Sequence, residues 1–193
     1  MITERRHFTR ALAWCLGGLG LIGVVGAVGG AAGQEGDEAL LERLRYPKTV
    51  IVVRHAEKAT DDPRDPNLSE VGVARAQELA RMLEHAGVTH LYASEYRRTQ
   101  QTLEPLSLLT GAVVQAVPAR DPAAVISAIE QLPRNAVAVV AGHSNTVPAL
   151  VGALAKGSEP FTLTEADYDR IYFVTRVDGE GKSTLLELRF GQR

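Results

Sequence analysis

A run of five β-branched residues at positions 49–53, Thr-Val-Ile-Val-Val, restricts this chain to a small number of folds. Side chains alternate between the two faces of a strand, so an unbroken apolar run is apolar on both faces. Such a strand is stable where both faces are covered, as they are in a parallel sheet between two layers of helices. We therefore expect residues 49–53 to form a central strand of an α/β domain.

The sequence after this run alternates between strand patterns and helix patterns. Apolar runs at 90–93, 113–117 and 136–141 predict three more strands. Apolar residues at helical spacing predict four helices, which are expected to start at Ser69, at Ser94, at Asp121-Pro122 and shortly before Val147. Pro105 is expected to kink the second helix or to mark its weak end.

Two late strands, 171–176 and 183–190, flank Asp178-Gly179-Glu180-Gly181, which indicates a β-hairpin. The complete order predicts an α/β three-layer sandwich with a mainly parallel central sheet, helices on both faces and a C-terminal β-hairpin. We assign this domain to residues 48–193. Residues 34–47 form a polar leader before it, and residues 1–33 form a distinct N-terminal segment.

The N-terminal segment has the composition of an export signal. Residues 11–32 carry no charge and follow the basic stretch 5–10, Arg-Arg-His-Phe-Thr-Arg. A cationic segment before an apolar run that ends in small residues is typical of secretion, and the arginine pair resembles a twin-arginine signal. The alternative is an uncleaved anchor, because the run is long enough to span a bilayer of roughly 30 Å. We expect a periplasmic or extracellular protein that touches a membrane only through this segment, if it is uncleaved.

Composition argues against several classes of function. The formal net charge is −2, whereas a nucleic-acid surface requires a strong basic excess. Cys15 is the single cysteine, so no internal disulfide can form. No CxxC or HExxH spacing occurs, and the sequence therefore indicates neither a metal site nor a cofactor.

Polar residues follow three of the predicted strands. Arg54 and His55 come directly after the first strand, Arg98 lies shortly after the second, and His143 follows the fourth. Ligands of parallel sheets bind beyond the carboxyl ends of the strands. One histidine in such a position is more often a packing residue. Two histidines and two arginines at converging strand ends instead indicate a site for an anion such as phosphate.

Three segments resemble the motifs of the histidine phosphatase superfamily, its phosphoglycerate mutase-like branch 1. The first resembles the RHG-type motif, with Ala56 where glycine is most common, and 68–72 is similar to the family's entry to the first helix. The resemblance covers about residues 48–156 and suggests a small member like the phosphohistidine phosphatases. The three motifs are 53–58 (VRHAEK), 94–102 (SEYRRTQQT) and 141–145 (AGHSN).

The resemblance implies a role for each matching residue. His55 would be the nucleophile and would take the phosphoryl group as phosphohistidine, while Arg54, Arg98 and His143 would surround the phosphate oxygens. Imidazole has an unperturbed pKa of about 6.5, so its neutral, nucleophilic form is available at neutral pH. Its second nitrogen should be held by donating a hydrogen bond to a carbonyl group. Arginine keeps its charge and binds phosphate through paired bonds, so no metal is required.

The proton donor for the leaving group is less well defined by the sequence. Asp121 is the first candidate, and the alternative is that it only caps the helix at Pro122. Glu57 is the second candidate and also a candidate substrate contact, and Glu104 is the third. Lys58 lies either at the pocket rim, where it would bind substrate, or in solvent. Small family members also exist without an obvious donor.

Only 44 residues separate Arg98 from His143, where family mutases and sugar bisphosphatases usually carry longer insertions. The short connection favours an open site and a metal-independent phosphomonoesterase acting on a phosphorylated small molecule or phosphate ester. The alternatives are a phosphohistidine phosphatase or phosphomutase, or a phosphate-binding or interaction module without turnover.

Overall fold

The structure, a computed structural model, describes residues 47–176 and 183–191. Strands and helices alternate until the last two strands. In chain order the elements are β1 (Lys48–Arg54), α1 (Glu70–Leu83), β2 (His90–Ser94), α2 (Arg97–Thr110), β3 (Val114–Val117), α3 (Pro122–Gln131), β4 (Val137–Gly142), α4 (Thr146–Leu154), β5 (Arg170–Arg176) and β6 (Ser183–Arg189).

The strands form one six-stranded sheet in the order β3-β2-β4-β1-β5-β6. β4 pairs in parallel with both β1 and β2, and β2 pairs in parallel with β3. β5 pairs antiparallel with both β1 and β6. The predicted α/β fold is confirmed, with an antiparallel strand pair at its C-terminal side. The parallel pairing brings the carboxyl ends of β1, β2 and β4 to one edge of the sheet.

Side chains of β1 alternate between two apolar cores, as its sequence predicts. Val50 and Val52 belong to the core that includes residues of α3 and α4, while Ile51 and Val53 belong to the core that includes residues of α1 and α2. All four side chains are at most 1% exposed. Burial of each contributes roughly 1.5–3 kcal/mol, so this strand fixes both helix layers.

Two helices start where their capping residues predict. The Ser69 side chain accepts a hydrogen bond from the Gly72 amide at the first turn of α1. Asp121 accepts one from the Ala124 amide at the start of α3, where Pro122 is the first helical residue. These bonds satisfy amides that have no partner within the helix.

The start of α2 differs from the sequence prediction. Ser94 was expected to start this helix, but it is the last residue of β2, where it pairs with Val117 of β3. α2 begins at Arg97, and it continues through Pro105 to Thr110. The prediction was wrong because the Ser94 hydroxyl is used in tertiary contacts with Thr99 and His143 rather than as a helix cap.

The N-terminal segment 1–33, all of the leader except residue 47, and the predicted turn at 178–181 lie outside the described residues. Within the described ranges, no helix has both the length and the apolar character needed to cross a membrane.

Candidate active site

His55 lies immediately after β1, at the carboxyl edge of the sheet. Its backbone amide donates to the Gly142 carbonyl at 2.9 Å, which continues the pairing of β1 with β4 to this residue. The side chain is only 4% exposed. Its Nδ1 lies 2.7 Å from the Ala56 carbonyl oxygen. A carbonyl oxygen only accepts, so Nδ1 carries the proton and the neutral ring keeps its lone pair on Nε2.

Burial keeps His55 neutral. Removal from water lowers the pKa of His55 to about 3, and the positive charges of Arg54 and Arg98 act in the same direction. The hydrogen bond to Ala56 opposes this shift but is the smaller influence. The nucleophilic form of the ring is therefore present throughout the neutral pH range.

His143 follows β4 and lies beside His55. The two ring centroids are 5.3 Å apart with the planes at 64°. The Nε2 of His143 lies 2.9 Å from the Ser94 Oγ, and its backbone amide donates to Thr146 Oγ1 at 2.8 Å. Burial lowers the pKa of His143 to about 4, with a further contribution from Arg98. Adjacent parallel strands therefore bring together two neutral imidazoles that are 88 residues apart in the sequence.

Arg98 reaches the site from the first turn of α2. Its side chain is 15% exposed, and its Nη1 atom lies 3.7 Å from Asp65 Oδ1, beyond hydrogen-bond distance. Its Cζ lies 4.4 Å from the centre of the Tyr96 ring, a cation–π contact that fixes the plane of the guanidinium. The Nη1 atom is buried and has no hydrogen-bond partner among the described residues. Such a donor is suited to an anion, because a buried N–H without a partner is costly.

Arg54 is held from the opposite side by the segment before β5. Nη1 donates to the Thr164 carbonyl at 2.6 Å, and Nη2 donates to Glu165 Oε2 at 3.2 Å. The guanidinium also lies over the Tyr168 ring, with Cζ 4.1 Å from its centre. Its Nε is buried without a hydrogen-bond partner among the described residues. Arg54 is thus oriented by one set of contacts and keeps a donor for a ligand.

These side chains line one cavity of about 310 Å³. The predicted nucleophile, His55, and the three residues predicted to surround the phosphate all line it, and Lys58 is also on the wall with 51% of its side chain exposed. A volume of this size suits a small molecule. The lining residues are Arg54, His55, Lys58, Tyr96, Arg98, Ala119, Arg120, His143, Ser144, Asn145, Thr146 and Glu165.

The three candidate proton donors are not on this wall. Asp121 caps α3 through its bond to Ala124, which is the alternative that the sequence left open. Glu57 is held by Arg75, which donates to both carboxylate oxygens at 2.7–2.9 Å. Glu104 is exposed on α2. None of the three lines the cavity, so the structure supports neither a donor role for them nor a substrate contact for Glu57.

Sequence reasoning missed the contribution of the segment before β5. Glu165 is the one carboxylate among the cavity-lining residues that the structure describes. Together with Thr164 and Tyr168 it holds Arg54. This segment has neither regular periodicity nor a motif, so no local signal could have identified it. Arg120 was missed for the same reason, since it follows β3 as an isolated exposed residue.

The described part of the chain holds no group of three or more histidine, cysteine, aspartate or glutamate side chains arranged to bind a metal ion. Arginine and histidine are instead the dominant polar lining of the cavity. Guanidinium groups and N–H donors are the partners that phosphate oxygens prefer.

Comparison with known families agrees with this geometry. Residues 50–121 match the model of the histidine phosphatase superfamily, branch 1. The matched residues belong to a histidine phosphatase superfamily domain. Within them lie two of the motifs from which the resemblance was inferred, those around His55 and Arg98, and the inferred family is confirmed. No curated protein sequence gives a significant match.

Solved structures share the fold of this domain. The protein histidine phosphatase SixA, complexed with tungstate, gives a TM-score of 0.59 at 22% identity, over 73% of this chain and 96% of SixA. A mycobacterial hydrolase gives a TM-score of 0.57 at 17% identity, over 72% of this chain and 96% of the hydrolase. The mycobacterial glucosyl-3-phosphoglycerate phosphatase gives a TM-score of 0.56 at 15% identity, over 72% of this chain and 97% of the phosphatase.

Proposed function

We propose that this domain is a metal-independent phosphomonoesterase that transfers the phosphoryl group of its substrate to His55 and then to water. The observation that carries the proposal is the pair of neutral imidazoles, with ring centroids 5.3 Å apart, on the wall of a cavity that also holds Arg54 and Arg98. The match of residues 50–121 to the superfamily model supports a phosphatase or mutase chemistry.

The first step uses the free nitrogen of His55. Because Nδ1–H is bonded to the Ala56 carbonyl, the lone pair is on Nε2. Attack of Nε2 on phosphorus forms the P–N bond as the P–O bond to the leaving group breaks, and the leaving oxygen takes the electron pair. The hydrogen bond to Ala56 also stabilises the positive charge that develops on the ring during attack.

Arg54 and Arg98 provide the charge that a metal supplies in other phosphoryl transfer enzymes. The transferring group spreads its negative charge over three equatorial oxygens, and positioned donors stabilise it. Arg54 Nε and Arg98 Nη1, which make no hydrogen bond among the described residues, are such donors. The second step reverses the geometry of the first, with water attacking phosphorus and His55 Nε2 leaving.

Among the described residues, we find no carboxylic acid that is positioned to protonate the leaving group. Glu165 is the one carboxylate among the described lining residues, and it is held in an ion pair with Arg54 at 3.2 Å. We therefore expect faster turnover of phosphate esters whose leaving group is stable as an anion, such as aryl phosphates, than of alkyl phosphates. The substrate class is a phosphorylated small molecule or phosphate ester.

The test is phosphate release from p-nitrophenyl phosphate by residues 34–193, as wild type and as His55→Ala, each with and without a chelator. We expect chelator-resistant turnover that the variant lacks, and a 32P-labelled phosphoenzyme trapped in the wild type alone. Phosphate binding without turnover in the wild type would instead support a binding module. Turnover that a chelator abolishes would contradict metal independence.

A phosphohistidine phosphatase activity is the second candidate. It is favoured by the similarity in fold to the protein histidine phosphatase SixA. The wall also carries Lys58, half exposed, and Arg120, which suit a cavity open to a large partner. A kcat/KM for a phosphohistidine-containing protein well above that for p-nitrophenyl phosphate would favour this candidate. Transfer of phosphate to an added alcohol in preference to water would favour a mutase.

We also propose that the protein is exported, on the basis of its N-terminal composition. Cell fractionation of the full chain would test this against an Arg5→Lys/Arg6→Lys double variant. Export is expected to fail in the variant if the arginine pair is a twin-arginine signal. A mature N-terminus near residue 34 would show cleavage, whereas a full-length membrane-bound protein would show an anchor.

A further inference from the structure

A chain of buried hydroxyl groups connects His143 to the start of α2. The Ser94 Oγ lies 2.9 Å from His143 Nε2 and 2.7 Å from Thr99 Oγ1. Thr99 is fully buried and Ser94 is 4% exposed. Neither residue lines the cavity itself, and His143 is the member of the chain that does. The chain therefore acts on the site only through the imidazole.

The direction of the hydrogen bonds follows from the Thr99 end. Thr99 Oγ1 lies 2.7 Å from the Tyr96 carbonyl oxygen and 3.1 Å from the Ser94 carbonyl oxygen. Carbonyl oxygens only accept, and two oxygens do not approach to 2.7 Å without a proton between them. The single Thr99 hydroxyl proton is therefore directed to the backbone, which leaves Oγ1 as an acceptor toward Ser94.

The remaining protons are then determined. The Ser94 hydroxyl donates to Thr99 Oγ1, so its oxygen accepts from His143. A neutral imidazole carries one proton, and in this arrangement that proton is on Nε2. Nδ1 keeps a lone pair and has no hydrogen-bond partner among the described residues. If Thr99 instead donated its proton to Ser94, no proton would lie between Thr99 Oγ1 and the Tyr96 carbonyl oxygen, and the two oxygens would repel each other.

We propose that Thr99 and Ser94 form a positioning relay that fixes neutral His143 as its Nε2–H tautomer, so that binding a phosphate dianion brings one proton to Nδ1. A bare lone pair repels phosphate oxygens, whereas a protonated Nδ1 donates to them. The bound complex thus holds one more proton than the free site and free dianion. The proton comes from solvent or, for a monoanionic phosphate, from the ligand. This deepens the proposed function, since it takes the cavity as the phosphate site.

The charged and titratable groups around His143 agree with this coupling. Arg54 lies at the end of β1, the His55 ring directly follows β1, and Arg98 lies at the start of α2. From the link between β2 and α2 come Glu95 and the Tyr96 ring, which lies 5.4 Å from the His143 ring centroid. Burial, together with the Arg98 and Arg54 guanidinium groups, outweighs the Glu95 carboxylate, so the free site keeps His143 neutral. A bound dianion reverses that balance and favours the imidazolium.

Thr99→Val and Thr99→Ser are the matched pair of variants for testing the relay. Valine keeps the shape of threonine but offers no acceptor, so the Ser94 hydroxyl is free to donate to His143 Nε2 and the ring can change to its Nδ1–H tautomer. Serine keeps the hydroxyl and should behave as wild type. Ser107, in the last turn of α2, donates a hydrogen bond from its hydroxyl to the Ala112 carbonyl. Ser107→Ala therefore controls for the loss of a side-chain hydrogen bond of α2 that lies away from His143.

The first measurement is the 15N chemical shifts of the imidazole nitrogens in the ligand-free protein. These report the protonated nitrogen for His55 and His143 separately, and they need no ligand or activity. We expect Nε2–H for His143 in wild type, Thr99→Ser and Ser107→Ala, and a change toward Nδ1–H in Thr99→Val. Wild-type His143 as the Nδ1–H tautomer would overturn the proposal.

The second measurement is proton uptake on binding tungstate at pH 7.5, from calorimetry in buffers of different ionisation enthalpy. Tungstate is a dianion with no proton to give at this pH, so we expect uptake of about one proton in wild type and clearly less in Thr99→Val. Tight binding without uptake in wild type would contradict the relay and leave the proposed phosphatase intact. Absence of both tungstate binding and turnover would contradict the proposed function, and the 15N shifts would still decide the relay.

Discussion

The two histidines of the site are alike in position but differ in how their rings are held. Each follows a parallel strand, and the residues just before them, Arg54 and Gly142, are paired across β1 and β4. The His55 ring is fixed by the carbonyl of the next residue, at 2.7 Å. The His143 ring is fixed by Ser94, at 2.9 Å and 49 residues away in the chain. One tautomer therefore depends on local backbone geometry and the other on tertiary packing.

The difference suits the chemistry proposed for each ring. A nucleophile needs the same free nitrogen in every state, and a backbone carbonyl offers no proton with which to change the tautomer. A ring that contacts the phosphate oxygens must exchange protons as the charge on the ligand changes. Hydroxyl groups both donate and accept, so they can follow such a change.

Removing the two imidazole rings one at a time should give the largest difference in kcat between the two positions. His55→Ala deletes the proposed nucleophile, and loss of such a group lowers kcat on the order of 10⁶-fold in well-studied hydrolases. His143→Ala deletes one stabilising donor and should lower kcat by about 10²–10³-fold. Rapid-quench measurement of a 32P phosphoenzyme should detect it in the second variant and not in the first. Equal losses in both variants, with no phosphoenzyme in either, would show that the rings do not have separate roles.

The pH dependence of the free energy of unfolding should also differ between the two histidines. Both folded pKa values, about 3 for His55 and about 4 for His143, lie below the unfolded value near 6.5. As the pH falls below 6.5 the unfolded chain takes up protons first, so the free energy of unfolding falls. This loss should continue to about pH 4 for His143 and to about pH 3 for His55.

Urea denaturation of wild type, His55→Gln and His143→Gln between pH 7.5 and 4.5 checks this expectation. Each variant should lose less stability than wild type over the range, by on the order of 2 kcal/mol. Parallel curves for wild type and a variant would show that the corresponding histidine is not held neutral in the folded protein.

Gly72 and Gly142 lie against the segments that carry His55 and His143. Substitution of each glycine by alanine tests how tightly the two segments are packed. A methyl group on Gly72 would overlap the carbonyl oxygen of Glu57, two residues after His55. On Gly142 it would lie 2.8 Å from Thr146 Oγ1 and 3.2 Å from a Val147 methyl group, both of which are side-chain atoms. Backbone cannot move aside as easily as a side chain, so Gly72→Ala should destabilise the protein more.

Overpacking of this kind costs typically about 1–3 kcal/mol, and we expect Gly72→Ala at the upper end of that range or above it. Chemical denaturation at pH 7.5 measures both variants. Gly152→Ala is the control, since a methyl group there meets nothing within 4 Å. A larger loss in Gly142→Ala than in Gly72→Ala would show that the segment after β1 yields more readily than the one after β4.

The smallest effect, a change in KM, is expected on substitution of Glu165, which contacts Arg54. Its carboxylate lies 3.2 Å from Arg54 and 4.0 Å from Lys58, but 74% of its side chain is exposed. Glu165→Gln removes an anion that competes with phosphate, so KM for p-nitrophenyl phosphate should fall by about two- to five-fold at low salt, and less at high salt. A rise in KM would show that Glu165 mainly orients Arg54. Glu159→Gln, at a position six residues earlier in the chain and outside the cavity lining, is the charge-matched control.

Much of the fold could be predicted because its signals are local. The β-branched run gave β1, helical spacing gave the buried face of α1, and Asp121-Pro122 gave the start of α3. Ser94 was misassigned because a serine before a helix is a good cap in isolation. Its pairing with Val117 and its contact with His143 come from distant parts of the chain.

The sequence by itself determined which residues meet. Arg54 ends β1, His55 and His143 directly follow β1 and β4, and Arg98 lies shortly after β2. These three strands are parallel, and parallel strands end at one edge of the sheet. It also determined the His55 tautomer, since the bond to Ala56 is made between neighbours in the chain. Only the tertiary structure decided that Asp121 and Glu57 are used in a helix cap and an ion pair, and that Glu165 faces the cavity. Side-chain partners across long sequence separations depend on packing, for which local sequence carries no signal.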